Sequence, residues 1–381
     1  MIKVRAGFIP LTDAAVLIAA ADKGFAAEEG IALDLVREAS WANIRDRLLY
    51  GDIQAAHLLA PLAIAMTLGI GQPPLALSVP ATLGLNGSSI IIAGSLHAAL
   101  EREAAGDLAD PKVSGAALAR VVARRRAAGE EPLSFAMVFP FSVHNYLLRV
   151  WLAAAGLDPD EDVRLTVVPP PYMVETLSRG QVQGFCVGAP WPSVAVAAGL
   201  GHILHFSTDI VAACPDKVLA LQGIWAERHP EAAASLTRAV IRAASWCALP
   251  DNREELSQIL SVPGRLGVSA GIIRPALDGR LVVAPDGRTR HDPFYFRLAP
   301  EPAIRPVEAH AAWLYAQMVR WGQTGYSPGE AAIARAVYDP AAYDAALAAL
   351  GRPNAARDEV GAFVGPTFDP DDVAGYLAAL G

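Results

Sequence analysis

Hydrophobic positions change period repeatedly along this 381-residue chain, and each change marks an element. The stretches "IKVRAGFI" (2–9) and "IALDLVRE" (31–38) alternate apolar and polar side chains, the period of half-buried strands. Between them "DAAVLIAAADKGFAAEEG" (13–30) reads as one helix stopped by Gly30, so the chain opens as a βαβ unit. "SWANIRDRLLYG" (40–51) follows as a helix capped by Ser40, with Trp41, Ile44 and Leu48 on one stripe and Gly51 at its end. "IQAAHLLA" predicts another strand, and Pro61 opens the helix "PLAIAMTLG".

A second alternating region follows residue 86. Strands are expected near "SFAMVF", "VRLTVV" and "GFCVG", with helices near 142–155 and 171–180 between them. The later segments "PEAAASLTRAVIRAASWCAL", "PVEAHAAWLYAQMVRWGQ" and "PAAYDAALAAL" are helical and are expected to complete the first unit. "GRLVVAPDGRTRHDPFYFRLAP" (279–300) interrupts them; its Gly, Pro and Asp content predicts a loop at the rim of a cleft. The reading is an α/β protein of two lobes, 1–85 plus 213–381 and 86–212, joined by crossings near Asn86-Gly87 and residues 205–212.

Composition narrows the function classes. Apolar residues make up 53% and charged residues 18%, enough for large cores and unlike a disordered chain. A net charge of −8 argues against direct nucleic-acid binding, and the "ARRRAA" run at 123–128 reads as a solvated helix face. Cys186, Cys214 and Cys247 are odd in number and far apart, which suits buried thiols in a reducing compartment rather than disulfides or a zinc site. "MIKVRAGFIPLTDAA" enters its strand with no basic or apolar leader, and no stretch of about 20 apolar residues occurs. A cytoplasmic chain without an export signal or membrane span is therefore expected.

A cleft between two such lobes is lined by strand ends and helix N-termini, whose free N–H groups and dipoles suit a small anion. Trp41, on the first turn of its helix, would add an indole donor and an apolar wall there. Pattern alone leaves other roles open. Trp41 also fits a core position, His144 a structural histidine, and Lys217 a surface lysine. His57, in "QAAHLLAP", reads as a supporting residue.

The strings "GFIPLTDAA", "REASWANIRDRLLYGDIQAAHLLAP", "LNGSSI", "VVPPPYMVETLSRGQVQGFCVGAPW" and "TFDPDDVAGYLAAL" resemble, in order and end to end, the nitrate- and bicarbonate-binding proteins of ABC importers. That resemblance implies a periplasmic-binding-protein fold of the second topological class with a planar oxyanion in the cleft. Carried over by residue, the anion pocket falls on Trp41, on the turn Asn86, Gly87, Ser88 and Ser89, on His144, on Gly188 and on Lys217. Where an importer relative has a glutamine in that turn, this chain offers only Ser88 or Ser89. Bicarbonate-binding relatives carry an acidic residue where Lys217 stands. A donor-only set of indole, imidazole and ammonium suits nitrate or nitrite, which accept hydrogen bonds without donating them, and calls for no metal or other cofactor.

The missing leader makes the chain resemble the cytosolic, NasS-like nitrate and nitrite sensors, which hold an antiterminator regulatory protein (NasT-like). An importer binding component is the alternative in the same ligand class. Enzymes also use this fold, but "HExxH", "GxSxG" and P-loop strings are missing, so no catalytic activity is expected.

Overall fold

The structure, a computed structural model, describes residues 1–299, 303–352 and 360–380. Its first sheet contains β1 (Ile2–Phe8), β2 (Ile31–Arg37), β3 (Ala55–Leu59) and β4 (Leu77–Thr82). The short β5 (Leu85–Asn86) then leads into a second sheet of β6 (Ser88–Ala93), β7 (Ser134–Met137), β8 (Arg164–Val167), β9 (Gly184–Gly188) and β10 (Gly201–Phe206). After β11 (Val211–Ala212) the chain returns to the first sheet as β12 (Lys217–Gln222). The strand orders are β2-β1-β3-β12-β4 and β10-β6-β9-β7-β8.

Both sheets mix directions in a way that places the site. In the first, β1, β2 and β3 are parallel and β12 runs against β3, pairing Lys217 with Leu59. The start of β12 therefore lies at the carboxyl ends of the parallel strands. In the second, β7, β8 and β9 are parallel while β6 opposes β9, pairing Ser88 with Gly188. Carboxyl ends of parallel strands are where open α/β sheets bind ligands, because helix N-termini and loops collect there.

The expected helix 13–30 is instead three pieces: a 3-10 turn Thr12–Ala14, a helix Ala15–Asp22 and a short helix Phe25–Glu28. The break falls at Gly24, whose φ of 82° a helix cannot contain. The helix Pro230–Ala248 packs on Ala15–Asp22, on Phe25–Glu28 and on the helix Pro340–Ala349. One hydrophobic core lies under these helices, around Phe8, Leu17, Leu219 and Val240. A second core is continuous across the junction, from Trp41, Ile44 and Leu59 to Val187, Leu148 and Phe206. All three cysteines are buried and free. The arginines of the 123–128 run lie on the helix Pro111–Ala127 and pair with Glu103, Glu130 and Asp162 at the surface.

Residues 279–299 form a strap rather than a rim loop. Arg280–Val282 pairs with Thr289–His291, Phe296–Arg297 pairs with β5, and the Val283 carbonyl accepts from Ile203 of β10 at 2.8 Å. The strap drives Tyr295 into the junction, where it is fully buried. Gly87 sits under it with φ of 86°, and a Cβ there would come within 2.7 Å of the Phe296 ring. Among the described residues no helix is long and apolar enough to cross a membrane.

Candidate functional site

Two serine caps aim the first turns of two helices at the junction. Ser40 accepts from the Asn43 N–H at 3.2 Å and starts the helix Trp41–Leu49; Ser142 does the same for Asn145 at 3.2 Å and starts Val143–Ala154. Trp41 and His144 thereby sit in the first turns, both buried. Lys217 arrives from β12 and Gly188 from the end of β9.

A buried ionic array organises the junction. The Lys217 ammonium lies 2.7 Å from Asp216 Oδ2 and 3.0 Å from Asp13 Oδ2. His57 Nε2 meets Asp13 Oδ1 at 2.7 Å, while its Nδ1 faces the Ile9 N–H at 3.4 Å, so Nε2 carries the proton and donates. Across the cleft Ser88 donates to Asp216 Oδ2 at 2.8 Å, and His144 Nε2 lies 3.1 Å from Ser88 Oγ and 3.4 Å from Asp216 Oδ2. Because Ser88 has one hydroxyl proton and gives it to Asp216, Nε2 of His144 must be the donor to Ser88. Burial would raise the Asp13 carboxyl, but Lys217 and His57 outweigh it and hold it well below the usual carboxylate range. Burial would lower the Lys217 ammonium, yet Asp13 and Asp216 carry it upward. His144 is pushed down to about 4 by burial, only partly offset by Asp216.

Several polar atoms in the array or next to it in the chain are buried without a hydrogen-bond partner: Thr12 Oγ1, Trp41 Nε1, His144 Nδ1 and Asp216 Oδ1; so is the Tyr338 hydroxyl, on which the Asp216 charge acts. Buried polar groups are normally satisfied, so unsatisfied ones beside a buried ionic array mark a candidate place for a polar guest. The Trp41 ring lies under the ammonium at 5.6 Å and beside the His57 ring at 5.3 Å. Burial, reinforced by the Asp216 charge, raises the Tyr338 hydroxyl, which keeps it a donor.

The lobes are held shut around the array. Thr12 N donates to the Ala189 carbonyl at 2.7 Å, and Trp191 Nε1 to the Pro10 carbonyl at 3.1 Å. Gln323 bridges as well, accepting from the Tyr146 hydroxyl at 2.7 Å and donating to the Pro140 carbonyl at 2.9 Å.

The structure gathers Trp41, Ser88, His144, Gly188 and Lys217 at one place; a Cβ on Gly188 would lie 3.3 Å from Asp13 Oδ2. Three other expected residues stand a step away. Asn86 donates through Nδ2 to the Phe294 carbonyl and accepts through Oδ1 from Cys214 N, both at 2.8 Å, which ties it into the crossing. The Gly87 N–H donates to the Tyr295 carbonyl at 2.6 Å, and Ser89 Oγ meets the Tyr295 hydroxyl at 3.2 Å. The expectation of a donor-only pocket is corrected: Asp13 and Asp216 engage the lysine, and Asp216 Oδ1 is an open acceptor. Sequence reasoning missed Thr12, Asp13, Asp216, Tyr295 and Tyr338. The one local signal was Asp216 adjoining Lys217 in "CPDKVLAL".

Comparison with known proteins places this geometry. A profile described as the NMT1-like family matches residues 2–261. The chain is 32% identical over 390 residues to the nitrate/nitrite binding protein NrtA of Synechococcus elongatus, covering 99% of this chain and 86% of that protein. It is 30% identical over 389 residues to NrtA of a Nostoc species, covering 99% and 85%. The crystal structure of the periplasmic nitrate-binding protein NrtA from Synechocystis PCC 6803 superposes with a TM-score of 0.90 at 30% identity, covering 100% of this chain and 98% of that one. The two-lobed, type II periplasmic-binding-protein architecture is thus the observed fold.

Proposed function

The chain belongs to the NMT1-like family and is homologous to the NrtA proteins, and from that premise we propose that it binds nitrate or nitrite between its lobes as the substrate-binding component of an importer. The observation that carries this reading is the buried junction where Lys217, beside Asp216 and Asp13, lies over the Trp41 ring whose indole N–H has no partner. The ammonium lies between two carboxylates, and with three N–H groups it retains donor capacity for a guest. A planar oxyanion would accept from the ammonium together with the indole donor, replacing water with fixed dipoles in a dry site. Closure encloses the ligand because Ser88 and His144 of the second lobe come up against Asp216 of the first only when the lobes meet.

Isothermal titration calorimetry with nitrate, nitrite and bicarbonate in parallel tests this. Nitrate or nitrite should bind at a single site and outcompete bicarbonate. Tighter binding of bicarbonate, through the open Asp216 acceptor, would reverse the assignment.

A finer reading rests on the resemblance alone: a cytoplasmic sensor that holds an antiterminator regulatory protein until the anion closes the lobes. Reciprocal linkage requires partner and anion to weaken each other by the same factor. Co-elution with and without the anion separates a sensor from an importer component.

A further inference from the structure

We propose that capture of an anion between the lobes draws one proton onto His144, so that the protein takes up anion and proton together. This rests on the anion-binding reading above and adds to it a linked ion.

The geometry sets the condition. Two carboxyl groups, Asp13 and Asp216, share the single ammonium of Lys217. A bound anion brings a third negative charge into a site whose side chains are almost wholly excluded from water. Enclosed charge that is neither paired nor solvated is costly, and a titratable neighbour responds by changing protonation state. His144 is that neighbour. It is fully buried, its Nε2 proton is directed to Ser88, and its Nδ1 is a buried lone pair with no partner.

The charged groups acting on His144 come from facing elements: Asp216 and Lys217 at the start of β12, and Asp13 on the 3-10 turn. Asp209, on the neighbouring helix Ser207–Ile210, is engaged by Arg290, and Arg149 on His144's own helix by Asp160. With the cleft as it stands the imidazole is neutral at physiological pH, because burial holds it down to about 4. An added anion acts in the same direction as Asp216 and Asp13, which raise it. Protonation turns the bare Nδ1 into a donor and restores charge balance. A tautomer swap would also give Nδ1 a proton, but only by withdrawing the Ser88 hydroxyl from Asp216 to satisfy Nε2. The two routes differ by one proton from solvent.

Nitrate is the probe, because it remains ionised throughout the accessible range and contributes no titration of its own. Between the raised pKa of the complex and the free value of about 4, nitrate affinity should rise up to tenfold for each unit fall in pH. Calorimetry of the wild-type protein in two buffers of different ionisation enthalpy counts the protons, and uptake approaching one is expected at mildly acidic pH, declining toward alkaline pH. In the same samples the imidazole ¹⁵N shifts of His144 should move from the neutral to the imidazolium pattern on saturation with nitrate. Nitrate binding without proton uptake, or uptake with His144 still neutral, overturns the inference and leaves the anion site standing. No binding of nitrate at any pH would instead remove the anion-binding reading itself.

Discussion

Replacing Lys217 with Met keeps the length and apolar character of the stem while deleting the ammonium. In the parent that ammonium lies 2.7 and 3.0 Å from two carboxylates whose side chains are at most 6% exposed. Removing one partner of a buried ion pair costs about 3–5 kcal/mol, because the remaining charge is left uncompensated. Here two are left. The pH dependence carries the sharper test. Asp13 in the parent titrates below its unfolded value, so its stabilisation is present above the unfolded carboxylate range and is lost only as pH falls through the depressed value. Without Lys217 only His57 opposes the effect of burial, so the folded value of Asp13 rises. The variant then lacks much of the stabilisation that the parent's carboxylate supplies at neutral pH and that the parent itself loses toward acid. The stability gap between parent and Lys217→Met should therefore be about 3–5 kcal/mol near neutral pH and shrink toward acid. Urea unfolding followed by tryptophan fluorescence at several pH values measures it. A variant within about 1 kcal/mol of the parent at neutral pH, or a gap that widens toward acid, would refute the ionic account of the junction.

Without ligand the parent should lose stability as pH falls from about 6.5, because His144 and His205, held down to about 4 and about 3 chiefly by burial, are protonated first in the unfolded chain. The His144 shift alone corresponds to roughly 3 kcal/mol, and a denaturation series that is flat across this window would contradict it. Gly188→Ala places a methyl 3.3 Å from Asp13 Oδ2 and 3.5 Å from Leu11 Cδ2. It should weaken nitrate binding about tenfold, or about 1.4 kcal/mol, and calorimetry showing unchanged affinity would remove Gly188 from the pocket wall. Gln323→Ala deletes two hydrogen bonds that bridge the lobes. At about 0.5–1.5 kcal/mol each, their loss should favour the open lobes, lowering affinity and enlarging the scattering radius of the ligand-free protein; no change in either would show that Gln323 does not bias closure.

Much of the architecture was legible in residue order. Alternation placed β1 and β2, the short segment "IQAAHLLA" placed β3, Ser40 marked the start of the Trp41 helix, and the switch of pattern after residue 86 announced a second sheet. Such features are local: a strand or a cap is written in a few consecutive side chains. The resemblance extended this to Trp41, Ser88, His144, Gly188 and Lys217, which the structure does bring together. The pattern makes Asp13 the first residue of a long helix; the structure sets it in the 3-10 turn Thr12–Ala14, where the neighbouring strands β3 and β12 bring His57 and Lys217 against it. Tyr295 belonged to a Gly- and Pro-rich stretch, and nothing in that composition revealed that pairing with β5 would turn its hydroxyl toward Ser89. Whether a charge is buried, and against what, depends on elements more than a hundred residues apart meeting at the ends of two sheets. Chain order determined the elements and their polarity pattern; tertiary contact decided which carboxylates the lysine must neutralise, because burial and pairing belong to the assembled junction.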